Sequence, residues 1–208
     1  SGIITTKNQS LLEKMLLWVR GNFFIPDAKF LWIKPSIKKL DNYLKNNSVD
    51  VIVSNGPPHS LHLIAQALKK KHPNIKWLAD FRDPWTSIDY FHKLPITNRN
   101  MKKHRDLEKQ VLKNADVVTV VTSSVKKEFE KHSQSVIKIE NGFDREVNPK
   151  LISDDPKFSI SYFGLMNEDR NPVSLWVVLE RLSKRNKTFK NDLEVRLIGH
   201  VDKSVIKS

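Results

Sequence analysis

The chain of 208 residues carries 36 Lys and Arg against 23 Asp and Glu, a formal charge of +13, and no cysteine. Disulfide frameworks and thiolate metal sites are thereby excluded, and no run is long and apolar enough for a membrane span, so the sequence reads as a soluble cytoplasmic protein. The length accommodates one or two domains, and the charge favours phosphate-bearing partners such as nucleotides, nucleic acid or anionic lipid.

Residues 1–35 are apolar and rich in aromatics without a clear strand-loop-helix unit, so the first strands of a domain are expected to be missing. Within them LLWVRGNFFIPDAKFLWIK, residues 16–34, mixes aromatic and basic side chains as interfacial segments do. Packing on a sheet is the preferred reading, and docking on an anionic membrane is the alternative. Residues 36–46 have a helical pattern, 49–53 read as a strand, and 60–71 place Leu61, Ile64, Ala65 and Leu68 on one helical face. Residues 76–79 form the next predicted strand, and 80–97 are irregular. A charged helix over 98–114 precedes a β-branched strand over 117–121, and a helix capped by Thr122 or Ser123 leads to a short strand over 136–139. Residues 148–156 read as a linker. The pattern then restarts with a strand over 158–163, a helix over 172–183, a strand over 193–198 and the start of a helix over 201–208. Strands alternating with helices predict an α/β fold, a Rossmann-like parallel sheet with flanking helices. The lysine clusters at 69–71, 102–103 and 126–127 read as solvated helix faces.

The segment SNGPPHS, residues 54–60, joins a strand to a helix through a proline-stiffened loop with no side-chain bulk at Gly56, and open α/β sheets build ligand clefts at such loops. His59 and Ser60 fall at the helix start, where unpaired N–H groups favour anionic or oxygen-rich ligands. This placement favours ligand contact over burial for His59, with helix capping or a structural hydrogen bond as the alternative. ADFRDPW, residues 79–85, puts Asp80, Arg82 and Asp83 at a strand's carboxyl end; they suit phosphate and sugar hydroxyls, or an internal Arg–Asp pair. Trp85 is either a stacking platform or a plug beneath the loop. ENGFD, residues 140–144, predicts a turn with positive φ at Asn141 and Gly142, with Asp144 capping it or facing a cleft. In SYFGLMNEDRNP, Gly164 permits close approach of a ligand, and Arg170 with Asn171 beside a helix start forms a plausible diphosphate clamp. A ligand loop in each half predicts an interdomain cleft. His62, His72, His92, His104, His132 and His200 show no metal-ligand spacing with carboxylates, and no metal is expected.

Taken in order, SNGPPHS, ADFRDPW, NADVVTVVTSS, IENGFD and YFGLMNEDRNP resemble the family four glycosyltransferases of the GT-B fold, particularly a bacterial branch, from about Trp32 to Gly199. The resemblance implies two Rossmann-like domains: an acceptor-side domain over 1–147 lacking its first strands, and the truncated start of a donor-binding domain over 148–208. It implies transfer of a sugar from a nucleoside diphosphate sugar to a hydroxyl acceptor, with retention, for surface polysaccharide or glycolipid synthesis. The acceptor would be a sugar or lipid-linked, no cofactor or metal would take part, and the enzyme would work in the cytoplasm at or near the inner face of the membrane.

Residue by residue, Gly164 matches the glycine after the first donor-domain strand, Arg170 stands where the family usually has a lysine, and Asn171 replaces the glycine beside it. His59, Asp80, Arg82 and Asp83 would line the acceptor side. Leu165 occupies the place of a second phosphate-binding arginine, and an acidic pair that grips the donor lies further along the family chain. This fragment is therefore expected to lack part of the donor site and to be inactive alone. The alternative is a basic nucleic-acid-binding α/β module without enzymatic activity; no nucleic-acid motif accompanies the charge, so no nucleic-acid partner is expected.

Overall fold

The computed structural model describes residues 10–88, 91, 94–144 and 155–206. They belong to two compact units, Ser1–Phe143 and Asp144–Ser208. Most of the predicted linker lies outside the described residues.

The first unit is built on four parallel strands in the order β1 (Val51–Gly56), β2 (Lys76–Phe81), β3 (Val117–Val120) and β4 (Val136–Lys138). Strands β1 and β2 run further towards their carboxyl ends than the sequence pattern predicts, taking in Asn55, Gly56, Asp80 and Phe81. The sequence pattern misses this extension because Asn55, Gly56 and Asp80 are not core-forming apolar residues, whereas Phe81 beyond them returns to the core. Side chains alternate across a strand. On one face Trp77, Ala79 and Phe81 of β2 and Val118 and Val120 of β3 are buried. They pack with Ala65 of α3 (Ser60–Lys71), Val111 and Leu112 of α4 (Asn98–Asn114) and Phe129 of α5 (Ser123–Phe129). The other face leaves Val51, Val53 and Ile137 exposed, whereas parallel sheets are ordinarily covered on both sides.

The amino-terminal region departs from expectation. Ser10 and Glu13 form a reciprocal capping box, with Ser10 Oγ accepting from Glu13 N at 3.2 Å and Glu13 Oε2 accepting from Ser10 N at 2.7 Å. This box starts α1 (Leu11–Phe23), which buries Leu17 and Gly21 only. Gly21 lies against Ile96, so the helix backbone approaches the 94–96 segment closely. Asn22 fixes that segment, donating to Pro95 O at 2.8 Å and accepting from Thr97 N at 2.9 Å. The rest of the 16–34 segment does not pack on the sheet as preferred: Trp18 and Phe23 of α1 and Leu31 and Trp32 beyond it are all exposed.

A 3-10 turn (Phe30–Trp32) leads directly into α2 (Ile33–Asn46), three residues earlier than predicted. Asp41 ties α2 to the end of α3, accepting from Lys71 at 2.8 Å and bonding His72 at 2.9 Å. Those hydrogen bonds hold its carboxyl down at about 2. Thr122 caps α5 through Val125 N at 3.3 Å.

The second unit pairs β5 (Phe158–Phe163) with β6 (Leu193–Ile198) in parallel. Between them run α6 (Val173–Arg185) and α7 (Lys187–Asp192), a short helix capped by Asn186 that the sequence pattern misses. A short helix α8 (Lys203–Ile206) follows β6. Both strands are followed directly by glycines with positive φ, Gly164 at +130° and Gly199 at +128°. A β-carbon on Gly199 would strike the Gly164 carbonyl. Gly199→Ala therefore combines backbone strain with a clash against main chain, and should cost about 1–3 kcal/mol in denaturant unfolding of this unit. An unchanged midpoint would show that the two strand ends do not meet this closely.

Candidate functional site

At the carboxyl end of β1, Trp77 Nε1 donates to Ser54 Oγ at 2.8 Å, which leaves the Ser54 hydroxyl hydrogen for His62 Nδ1, also at 2.8 Å. The His62 proton thus belongs on Nε2, which is buried against Gly56 without a partner among the described residues. His59 Nδ1 is likewise buried beside Gly56 and unpartnered, leaving Nε2 as the ring nitrogen with access outward. A β-carbon at Gly56 would overlap the His62 ring and press on His59 at 3.0 Å. Gly56 does not have positive φ, so its value here is the space it leaves.

His59 is 8 % exposed, so its loop position does not keep it from burial as expected, although its ring still borders a pocket. It makes no capping bond; its ring stacks on Trp85 with centroids 4.9 Å apart and planes 2° apart. Trp85 is the plug rather than an open platform, being 2 % exposed. Its Nε1 donates to His104 Nδ1 at 3.1 Å, and Glu108 Oε1 accepts from the backbone N of both Trp85 and Thr86 at 3.1 Å. Glu108 also accepts from the Thr86 hydroxyl. Burial raises the Glu108 carboxyl above its ordinary range. Burial acts oppositely on the imidazoles, lowering His59 and His104 to about 4 and His62 to about 3, so all three are neutral at neutral pH.

The start of α3 is not an open anion site. Asp27 Oδ2 accepts from Ser60 N at 2.8 Å while its Oδ1 accepts from Lys29 N at 2.8 Å, so an internal carboxylate takes the place foreseen for a ligand. What remains beside it is a pocket of about 120 Å³ bordered by Arg20, Asp27, Pro58, His59, Trp85 and His104.

Asp80 lies elsewhere. It projects to the opposite face of the sheet from Phe81, level with Asn55 of β1 and Thr119 of β3. Asn55 Nδ2 donates to one carboxylate oxygen at 2.5 Å and the Thr119 hydroxyl to the other at 2.6 Å. Among the described residues no ion pair joins Arg82 to Asp80 or Asp83. Instead the Arg82 guanidinium donates to Asn141 Oδ1, bringing the ADFRDPW and ENGFD segments together. Asp83, Gly142 and Asp144 are exposed, and neither Asn141 nor Gly142 adopts the positive φ expected of a turn. The predicted acceptor-side residues thus divide into two groups, His59 on the core face and Asp80 on the other.

In the second unit, the loop after β5 carries a 3-10 turn (Glu168–Arg170) opened by Asn167, whose side chain accepts from Arg170 N at 3.2 Å. Arg170 Nη1 reaches the Leu165 carbonyl at 3.3 Å. Asn171 Oδ1 accepts from Trp176 Nε1 at 2.7 Å, which fixes the loop to α6. Pro172 is the residue before that helix rather than its first turn.

A parallel α/β unit with polar groups and a pocket at the carboxyl edge of its strands is the architecture of a Rossmann-like substrate-binding domain. Residues 3–147 match the model of Glycosyltransferase Family 4, and the chain belongs to that family. A glycosyltransferase function follows at that level. A comparison with curated proteins gives no match.

An imidazole whose pKa falls on folding is protonated sooner in the unfolded chain. Stability from His59 and His62 is therefore complete above the ordinary 6.5 and is lost as pH falls towards 4 and 3. The slope approaches ~1.4 kcal/mol per pH unit for each ring, partly offset at lower pH by Glu108, which takes up its proton sooner in the folded state. Thermal melts should show a clear fall in Tm from about pH 7.5 to about pH 5, and a flat Tm would refute sequestered neutral rings. Gly56→Ala should destabilise by about 1–3 kcal/mol at neutral pH, because the rings it would displace have no free space.

Proposed function

We propose that the protein acts in the transfer of a sugar from a nucleoside diphosphate sugar to a hydroxyl acceptor, with retention of anomeric configuration, in surface polysaccharide or glycolipid synthesis. The observation that carries this reading is the pocket beside His59 and His104, two neutral imidazoles at the carboxyl edge of a glycosyltransferase-family sheet. A neutral imidazole offers one donor and one acceptor, which suits a hydroxyl better than a phosphate. His104 has already committed Nδ1 to Trp85, so Nε2–H is its donor. Rings held near 4 are weak bases; they position the acceptor hydroxyl and do not take its proton at neutral pH. At about 120 Å³, room for roughly four waters, the pocket takes one hydroxyl-bearing part of an acceptor.

On the donor side, Gly164 lets the diphosphate approach the backbone, and Arg170 on the same loop turns to meet it. The bond from the anomeric carbon to the diphosphate oxygen breaks as the acceptor oxygen bonds that carbon from the same face, and the acceptor proton passes to the departing diphosphate oxygen. Charge gathers on the departing diphosphate, where a guanidinium stabilises it most. Asn171 holds the loop in place through Trp176.

The test is a transfer assay on the whole enzyme with a panel of nucleoside diphosphate sugars. Arg170→Ala should lower kcat by about a hundredfold. His104→Gln should raise the acceptor KM about tenfold and leave the donor KM unchanged. Unchanged turnover in Arg170→Ala removes the diphosphate clamp, and a product of inverted configuration overturns retention.

A further inference from the structure

Helix α1 is amphipathic in the reverse sense. At 100° per residue, Leu17 and Gly21 mark its buried stripe, the opposite side carries Leu11, Leu12, Met15, Leu16 and Phe23, and Trp18 lies at the edge of that side. These six are 44 to 86 % exposed. The charged residues Glu13, Lys14 and Arg20 flank the buried stripe instead of occupying the outward face. Helices in water normally show the opposite pattern. Leu31 and Trp32, also exposed, follow on the turn that the Phe24–Phe30 ring contact holds to the end of this helix.

The charges around this face have one sign. Between Ser10 and Lys34 the only carboxylates are Glu13 and Asp27. Glu13 is engaged in the capping box and Asp27 in the backbone of Lys29 and Ser60. The cations Lys14, Arg20, Lys29 and Lys34 have no ion pair among the described residues, and Lys29 lies over the Trp32 ring at 4.6 Å. An apolar helical face with aromatic residues and unneutralised cations at its margins matches the interface of an anionic bilayer: acyl chains receive the apolar face, and Lys and Arg reach back to the headgroups.

We infer that the outward face of α1, with Leu31 and Trp32, docks this protein on an anionic lipid surface. Arg20 belongs both to this helix and to the border of the His59–His104 pocket, so docking places that pocket next to the headgroup layer. A lipid-linked acceptor would reach it there; that consequence rests on the transfer reading, whereas the docking does not.

Co-sedimentation of the chain with vesicles of phosphatidylcholine alone, or mixed with phosphatidylglycerol, tests the inference without any activity assay. Binding should appear with phosphatidylglycerol and weaken as salt is raised. Leu12→Glu with Leu16→Glu, at exposed positions where the fold is unaffected, should cut partitioning at least about tenfold. Lys29→Glu with Lys34→Glu should weaken it by about fivefold or more for each charge. Absence of binding to phosphatidylglycerol vesicles overturns the inference, as does binding that the leucine variants leave unchanged. A dimer in sedimentation equilibrium that the leucine variants convert to monomer would assign the face to a second copy and overturn it equally.

Discussion

Strand β1 ends in a residue without a side chain, and two imidazoles use the space. His62 lies where a β-carbon of Gly56 would be, and His59 stands beside it. Because His62 is seated this deeply, its Nδ1 meets Ser54, and Ser54 in turn receives the Trp77 indole. His59 is carried with it into a stack on Trp85, which orients His104 and presents two backbone N–H groups to Glu108. A chain of contacts therefore runs from one strand end through the loop after β2 to helix α4. The pocket is the part of this chain that remains open. Its chemistry follows from the same packing, since burial keeps the rings neutral.

The pleat of the sheet divides the remaining polar groups. Phe81 and Asp80 are neighbours in sequence and opposite in direction, so the aromatic core and the carboxylate row occupy different faces of one strand end. Asn55, Asp80 and Thr119 are register partners on three adjacent strands, and both oxygens of Asp80 are satisfied by them. A carboxylate so held keeps its orientation without a cation. Arg82 is then free of that task and reaches Asn141, closing the gap between the ends of β2 and β4.

The parallel α/β fold was legible because each strand is a compact apolar run followed by a helix with a clear face or cap. Gly56 and the SNGPPHS loop stand out in the sequence, but the use the fold makes of the space at Gly56 does not. Local sequence placed His59 at a helix start and could not show that Asp27, more than thirty residues earlier, supplies the carboxylate for that start. Glu108 and His104 looked like part of a charged helix surface; only their spacing of four residues on one face hinted at joint burial. The glycine of ENGFD suggested a positive φ, yet the chain there is open and exposed and needs none. Gly199 drew no notice as a lone residue after a strand, because its constraint comes from Gly164 on the neighbouring strand.

The large positive charge also takes on a different meaning once the partners are placed. Lys69 pairs with Asp116 at 2.8 Å, Lys71 with Asp41 at 2.8 Å, Lys102 with Asp106 at 2.6 Å and Lys126 with Glu130 at 3.6 Å. Each predicted lysine cluster therefore contributes at least one cation to a pair, with a neighbouring element for Lys69 and Lys71 and along its own helix for Lys102 and Lys126. Exposed pairs of this kind add little stability, about 0–1 kcal/mol each, but they neutralise the local field. A phosphate-binding groove needs the reverse, cations that converge on a concave surface without carboxylates among them. The pocket in this unit has Asp27 beside Arg20 and two uncharged imidazoles, so it selects by hydrogen bonding and shape rather than by charge. Net charge thus describes the outer surface of this protein, and the chemistry of its pocket is set by what burial removes.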